Sequence, residues 1–501
     1  MTLARWTPPR LISGRQSDQR TVEWLELFYD LVYVAALIQL GQILVDDLSI
    51  RGVWRFVALF TLLWWVWTST TFLKNRIEVD DFAHRFLIFA QMFAIGAAAV
   101  VIGDAFTTRS SPFALAMFFV QLALVLMYVW VWWRLPGSRR MVGPLASTNA
   151  VAAVIWLGSL AAPTPERFWL WGAAFVVSIS WTASGRFRRV LALDFPPDEE
   201  HLMERYALLT IIVLGESFIK VVGAVADQGA TASTYVHGFF AFLTSVGLWW
   251  TYFDDVADSP IRPRADGLPG AAVWTTLHLP LTMGLTAVGV GLKALVLSDF
   301  GDTVESAAAW VLVGALIVVF LSVAGLDSIT RSRHFGVRER DRVVWRLVAV
   351  ALLVVLGVVA PSLSTTAFGA LVAAIVIAQI AVEGLVAKKA DRAMRVGVDR
   401  VIQTALVGAR CEHLEQLTDT RPATAGCLQC MENSMVWVHL RFCTECGQVG
   451  CCDDSQGRHS ARHFMETGHA TMRSMEPGED WAWCYNDEVG LRSVKGGAEA
   501  N

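Results

Sequence analysis

The residue types best suited to chemistry crowd into the last ninety positions. From Cys411 the chain reads Cys411-x-His413, Cys427-x2-Cys430, Cys443-x2-Cys446, Cys451, His459, His463, His469 and Cys484. Thiolate and imidazole pairs two to four residues apart are what a tetrahedral zinc ion requires. Spread from Cys411 to Cys484, they supply more than one such site. All eight cysteines lie here and none in residues 1–410. Disulfides are the competing use of eight cysteines, but they need an oxidising compartment. The topology argued below puts this segment in the cytoplasm, which leaves metal. A domain this small then depends on the ion for its fold. Fully ligated sites are structural, because a catalytic zinc keeps one position open.

A second set of ionisable residues sits in apolar surroundings. Near the amino terminus, Glu23, Glu26 and Asp30 fall at i, i+3 and i+7, which puts three carboxylates on one helical face. Further on, Glu216 lies in the middle of an apolar run and Lys220 follows it by four, the spacing of an intrahelical ion pair. Lys293, Asp254 and His278 add further polar points. A charged group inside a bilayer costs about 2.5–3.5 kcal/mol on insertion scales and needs a partner or a task. One reading makes Glu26, Asp30, Glu216 and Lys220 an ion or proton pathway. The other makes them packing partners, Glu216 with Lys220 and Asp30 with an arginine on a neighbouring span. Gly215 beside Glu216 is expected to admit a close helix approach.

The elements that must position these residues follow from composition. The 501 residues are 54% hydrophobic and 17% charged, with a mean hydropathy of +0.47. A soluble chain carries about 25% charged residues, and disorder needs far less apolar content. A net charge of −4 gives no reason to expect nucleic acid. About 20 apolar residues cross the hydrocarbon core. Such runs occur at 25–45, 53–73, 85–105, 112–134, 145–162, 168–184, 206–226, 236–253, 271–297, 305–326, 343–360 and 366–387. The first twenty residues are polar, unlike a signal peptide.

Basic residues set the orientation. One side collects Arg5, Arg10, Arg15, Arg20, Lys74, Arg76, Arg85, Arg134, Arg139, Arg140, Arg186, Arg188, Arg189 and Arg205. It continues with Arg262, Arg264, Arg331, Arg333, Arg338, Arg340 and Arg342. The other side offers only Arg51, Arg109 and Arg167, so both termini are expected in the cytoplasm. Internal similarity points to duplication. Trp64-Trp65 recurs as Trp249-Trp250, His84 as His278 and Pro163 as Pro361, at offsets of 185, 194 and 198. Six spans per unit is an even number, so the two repeats would run parallel.

The segments E-W-L-E-L-F-Y-D-L-V-Y-V-A-A-L-I-Q-L from Glu23 and E-R-Y-A-L-L-T-I-I-V-L-G-E-S from Glu204 resemble the bacterial low-temperature-requirement A family. The resemblance covers roughly residues 20–390. It implies a bacterial multi-pass inner-membrane protein and brings no transport substrate or catalytic residue with it. The expected fold is therefore an all-α polytopic membrane protein of about twelve helices in two parallel six-helix repeats, plus a small α+β zinc-finger domain. Its divisions are a cytoplasmic segment at 1–24, repeats at 25–200 and 201–387, and a basic juxtamembrane linker helix at 388–410. The finger follows at 411–490, with a disordered tail at 491–501.

The Cys/His pattern over 411–488 resembles the ubiquitin-specific-protease-type zinc finger. Carried over by position, the resemblance implies one site from Cys427, Cys430, Cys451 and His459. A second interleaves as Cys443, Cys446, His463 and His469. The third site of three-zinc members falls on Cys411, His413, Cys484 and Asp487, where those members have cysteine in the last position. The carboxylate either ligates more weakly or leaves that site empty, so two zinc ions are expected with room for a third. Cys452 is left over, a buried thiol. In eukaryotic members the finger captures the free carboxyl terminus of ubiquitin. Trp483 and Tyr485 match the flanking aromatics of that pocket, but Asp453 stands where its arginine belongs, and Arg458 substitutes only if the loop folds back. Ubiquitin is thus not the expected partner. The carboxyl terminus of another peptide, or a cationic ligand drawn to Asp453, stays open.

No Walker loop, G-x-S-x-G or dinucleotide fingerprint is present, so an enzyme is not expected. The leading expectation is movement of a cation or small solute, with the finger as a recognition or regulatory module. The alternative is a non-transporting scaffold or stress sensor whose output is peptide binding by the finger. The bilayer is the obvious partner, and a homo-oligomer is compatible with the sequence.

Overall fold

Glu23 and Glu26 begin the first long helix by capping each other's backbone amides, and the apolar run behind them sustains it from Trp24 to Asp46 (α1). The same logic recurs along the chain in this computed structural model. Ser49 caps α2 (Ile50–Arg76), Asp81 caps α3 (Phe82–Val101), and Asp198 and Thr231 cap the eighth and ninth helices. The structure describes residues 7–11, 22–229, 231–254, 256–257, 259, 261, 270–330, 339–401, 404–406, 411, 413, 420–433, 435–476, 479, 481–487 and 489–493. Two units result, one of residues 1–331 and 339–380, the other of 332–338 and 381–501.

In the first unit the helices continue as α4 (Ser110–Arg134), α5 (Arg139–Gly158), α6 (Glu166–Ala183), the short α7 (Gly185–Asp194), α8 (Glu199–Asp227) and α9 (Ala232–Phe253). Then follow α10 (Gly270–Val296), α11 (Ser306–Ile329), α12 (Glu339–Val359) and α13 (Thr365–Val401). Helix therefore occupies every one of the twelve apolar runs. Among the described residues, ten helical segments are long and apolar enough to cross a membrane; α6 and α9, at the sixth and eighth runs, are not among them. Packing follows a common order in both halves: α1 on α2 and α3, α3 on α4, α4 on α5; then α8 on α9 and α10, α10 on α11, α11 on α12. The halves meet where α1 packs on α8 and α10.

Small residues allow these approaches. A Cβ at Gly289 would lie 2.8 Å from the Ser217 backbone, and one at Gly291 would lie 2.8 Å from Leu312 Cα. Gly215 has nothing within 4 Å of its Cβ position, so the close approach expected there is instead made by Gly289 on Ser217. An unexpected antiparallel pair, β1 (Thr7–Leu11) with β2 (Ile77–Asp80), joins Arg10 to Glu78 at 2.7 Å. Arg10 apart, the amino-terminal arginines of the orientation argument lie outside the described residues, as do Arg262, Arg264, Arg331, Arg333 and Arg338.

The second unit is a six-stranded antiparallel sheet with two short helices. It contains β3 (Thr404–Leu406), α14 (Leu428–Glu432), β4 (Leu440–Cys443), β5 (Val449–Cys451), α15 (His459–Thr467), β6 (Thr471–Ser474), β7 (Trp481–Cys484) and β8 (Val489–Ser493), in the order β3-β8-β7-β6-β4-β5. Two expected boundaries are corrected here. The linker does not stay helical to 410: α13 stops at Val401 and β3 joins the finger's sheet by pairing with β8. The tail expected to be disordered from 491 begins inside β8, whose last three residues are strand; 494–501 lie outside the described residues.

Candidate functional site

The strand ends and helix starts of the second unit bring twelve side chains together in three groups. Cys427 precedes α14 and Cys430 lies within it, Cys451 ends β5 and His459 begins α15. Their sulfurs stand 3.3, 3.2 and 3.3 Å from His459 Nδ1. A tetrahedral zinc with bonds of about 2.3 Å to sulfur and 2.0 Å to nitrogen holds S and N about 3.5 Å apart. The quartet is thus nearly at its liganded spacing. Cys443 and Cys446 flank the β4–β5 turn, which Gly447 closes at φ +78. They meet His463, one turn along α15, and His469 beyond it. Cys446 Sγ is 3.3 Å from His463 Nε2, Cys443 Sγ is 3.5 Å from His469 Nδ1, and the two nitrogens are 3.2 Å apart. One helix so serves both groups at i and i+4. The third group is looser. His413 Nδ1 lies 2.8 Å from Asp487 Oδ2, and Cys484 Sγ lies 3.7 and 3.5 Å from those atoms.

The electrostatics favour a cation in each group. Burial pushes the Cys443 thiol up to about 11 and the Cys411 thiol up to about 12, and raises Cys427 and Cys430 as well. Burial also lowers His459 and His463, keeping the imidazoles neutral as ligation needs. Hydrogen bonds from Cys411 and His413 hold the Asp487 carboxyl down at about 2. Buried thiols ionise once a divalent ion supplies the opposing charge. Three sulfurs with one nitrogen, and two with two, suit zinc, while the sulfur, nitrogen and carboxylate set of the third group is a harder donor mixture. Cys452 stays outside all three, its sulfur 3.3 Å from Ser455 Oγ.

The recognition residues are placed differently from one another. The Tyr485 hydroxyl donates to both oxygens of Asp453, at 3.0 and 3.2 Å, and its ring stacks on Phe464. Arg458 takes the left-handed conformation at φ +46 just before α15. Asp453, Gln456, Arg458, Arg462 and Met465 line one concavity of about 280 Å³. Trp483 does not line it; it is half-buried on β7 opposite Met472.

In the first unit, α1, α2 and α8 gather the carboxylate stripe. Lys74 Nζ reaches Glu23 at 3.1 Å. Glu26 meets His201 Nε2 at 3.1 Å and Arg205 Nη1 at 3.2 Å. Asp30 Oδ1 accepts from Arg205 Nη2 at 2.6 Å and from Trp67 Nε1 at 2.7 Å. Glu26 and Asp30 are 3% and 0% exposed. Glu216 pairs with Lys220 at 2.7 Å, but eleven residues beyond Arg205 on α8, about 16 Å along the axis. The four pathway candidates therefore fall into two separate pairs. His278 is fully engaged, its Nδ1 donating to the Trp274 carbonyl at 2.8 Å and its Nε2 accepting from Tyr252 at 2.8 Å. Asp254 accepts from Trp250 at 3.1 Å.

By sequence, Lys74, Arg76, Arg205 and Arg342 read as loop charges. The structure buries all four in helices, with Arg342 2.9 Å from Asp327 on α11. His201, Trp67 and Arg346 carry no motif that marks them in the sequence. The available signal was the uncompensated carboxylate face of α1, which demands cations from other helices.

Comparisons with known proteins agree with this division. Residues 427–493 match the family described as a Zn-finger in ubiquitin-hydrolases and other protein. A solution NMR structure of protein RPA1320 from Rhodopseudomonas palustris is 42% identical to this chain, covering 17% of it and 85% of the solved chain, with a TM-score of 0.17. An uncharacterized protein of Rhizobium meliloti (strain 1021), RA0937, is 31% identical over 287 residues, 55% of this chain and 69% of the relative. Residues 21–381, which hold the helices and the buried charges, match the bacterial low temperature requirement A protein. The chain belongs to that family of membrane proteins and carries a zinc-finger domain at its carboxyl end.

Proposed function

We propose that this protein crosses the inner membrane twelve times as two parallel repeats, with both termini cytoplasmic, and moves a proton or small cation. The observation that carries the reading is the Glu26–Arg205–Asp30 network, with His201, Lys74 and Trp67, buried among helices apolar enough to span a bilayer. Insertion of so many ionisable groups is unfavourable without a task or a partner. The finger serves as a cytoplasmic recognition or regulatory module holding two zinc ions and, through Asp487, a third. Its concavity with Arg458 and Arg462 suits a peptide's acidic end, with Tyr485 bonded to Asp453 at its edge and no reaction at the metal. Flux of protons and a panel of cations into liposomes holding the full-length protein tests this. Asp30→Asn is expected to abolish flux with normal expression; flux that survives the substitution removes Asp30 from its role.

One observation favours a scaffold or sensor instead: every carboxylate of the α1 stripe already has a cationic partner. On that reading, deleting 411–501 reproduces the full null phenotype and Asp30→Asn is silent.

A further inference from the structure

Two of the three donor groups are drawn wholly from residues 427–469. The third reaches back along the chain. Cys411 and His413 precede Cys427, where the match to the zinc-finger family begins, while Cys484 ends β7 and Asp487 lies in the turn to β8. The same stretch carries β3, which begins at Thr404, just beyond the end of α13 at Val401.

β3 is an edge strand paired with β8, Leu406 standing opposite Leu491. Beyond it, Cys411 is buried and packs with Ala470, Ala482 and Cys484. His413 Nδ1 lies 2.8 Å from Asp487 Oδ2, and its Nε2 lies 3.1 Å from the Asn486 side-chain amide. From Thr420 on, the chain is fastened separately: the Thr420 hydroxyl donates to the Glu445 carbonyl at 3.1 Å and the Ala423 N–H to the Gly447 carbonyl at 2.8 Å. Among the described residues of 402–419, two ties to the finger therefore stand, the β3–β8 ladder and the third donor group.

These ties differ in strength. Ordering a residue's backbone costs at least as much as one net hydrogen bond returns, so a three-residue edge strand does not hold by itself. An ion joining Cys411 and His413 to Cys484 and Asp487 closes the loop that keeps β3 in register. Two sulfurs, one nitrogen and one carboxylate oxygen also make the hardest of the three donor sets, and so the weakest for zinc.

We propose that the third group is an exchangeable zinc latch. With zinc bound it fastens the linker strand β3 to β8; with zinc gone it releases residues 402–419 while the other two ions keep the finger folded. The proposal rests on the reading of this group as a zinc site and names free zinc as the signal for the finger's regulatory role. On binding, the thiols of Cys411 and Cys484 give their protons to solvent as two sulfur–zinc bonds form. When a competing chelator takes the ion, both thiols are protonated again. No oxidant or reductant takes part. The segment after α13 thus switches between a fastened strand and a free tether, and tether length sets the effective concentration of the finger.

The test is a zinc titration of the full-length protein in micelles, stepped with chelators of graded affinity. Zinc content and amide hydrogen exchange are read at each step. Loss of the first zinc per chain is expected to speed exchange at Thr404–Leu406 by about tenfold or more while β4, β5 and α15 stay protected. His413→Ala is expected to hold one zinc fewer and to exchange fast at Thr404–Leu406 even at saturating zinc. Asp487→Cys is expected to delay release until free zinc is about tenfold lower. Protection of Thr404–Leu406 that survives loss of the first zinc overturns the latch, as does release that comes only when β4, β5 and α15 unfold. Both outcomes are read on the wild-type chain and do not need either variant to fold. A wild-type chain that binds no more than two zinc ions, with His413→Ala no different, refutes the zinc reading of the third group and the latch with it. A third ion whose loss leaves the strand protected refutes the latch alone.

Discussion

Arg205 holds two buried carboxylates at once, so replacing it is the sharpest test of the charge network. Its guanidinium is 2% exposed, 2.6 Å from Asp30 and 3.2 Å from Glu26. In Arg205→Gln, Asp30 keeps the Trp67 N–H, and Glu26 keeps His201 and the Glu23 backbone N–H, but both lose the guanidinium. Removing one partner of a buried ion pair costs about 3–5 kcal/mol, because the other charge is left uncompensated. Arg205→Gln alone should lose that much. Combining it with Asp30→Asn removes the stranded charge and leaves two amides able to bond each other, a deficit of about 1–2 kcal/mol. The double variant should therefore be about 2–3 kcal/mol more stable than Arg205→Gln alone, the non-additivity of residues in direct contact. Reversible unfolding in mixed micelles, followed by the emission of the 21 tryptophans, provides the free energies. A loss below about 1 kcal/mol for Arg205→Gln, with no coupling to Asp30, would refute the view that these charges hold each other inside the bundle.

Three further outcomes are expected. Elemental analysis of the purified chain should give two to three zinc ions, with Cys430→Ala and Cys446→Ala each removing about one and Asp487→Cys tightening the weakest; a zinc-free, folded finger would contradict the assignment. Metal affinity should rise with pH, because the thiols at Cys443 and Cys411, pushed up to about 11 and 12, must release protons on binding; the slope is about tenfold per pH unit for each proton released, and a competitive chelator titration from pH 5.5 to 8 reads it. Asp487, already ionised above about 2, contributes nothing to that slope. Gly289→Ala should destabilise the bundle by about 1–3 kcal/mol, because its methyl meets the Ser217 backbone; Gly215→Ala, with open space around it, should be neutral or stabilising, and equal effects would discredit the packing described.

What the sequence disclosed and what it hid differ in physical kind. Ligand spacing is a local property: Cys-x2-Cys turns and histidines one helical turn apart restrict where donors can point, and the three groups assemble with the partners the finger resemblance implied. Apolar run length is equally local, and helices fill all twelve runs. The identity of a buried charge's partner is not local. An arginine at a helix end reads the same whether it anchors a loop or turns inward, and hydropathy averages conceal the difference. Arg205 and Lys74 therefore read in the sequence as part of the positive flank, although the carboxylate face of α1 requires cations from other helices. The same blindness separates Glu216 from Asp30: both are isolated acids in apolar runs, yet about 16 Å of helix places Glu216 with its own Lys220 and outside the network. It also explains why His84 and His278 look equivalent in the chain. Their difference is that Tyr252 and the Trp274 carbonyl bond both nitrogens of His278, while neither nitrogen of His84 meets a hydrogen-bond partner. Two positions can look alike in the chain while the packing around each decides whether its ring nitrogens are bonded.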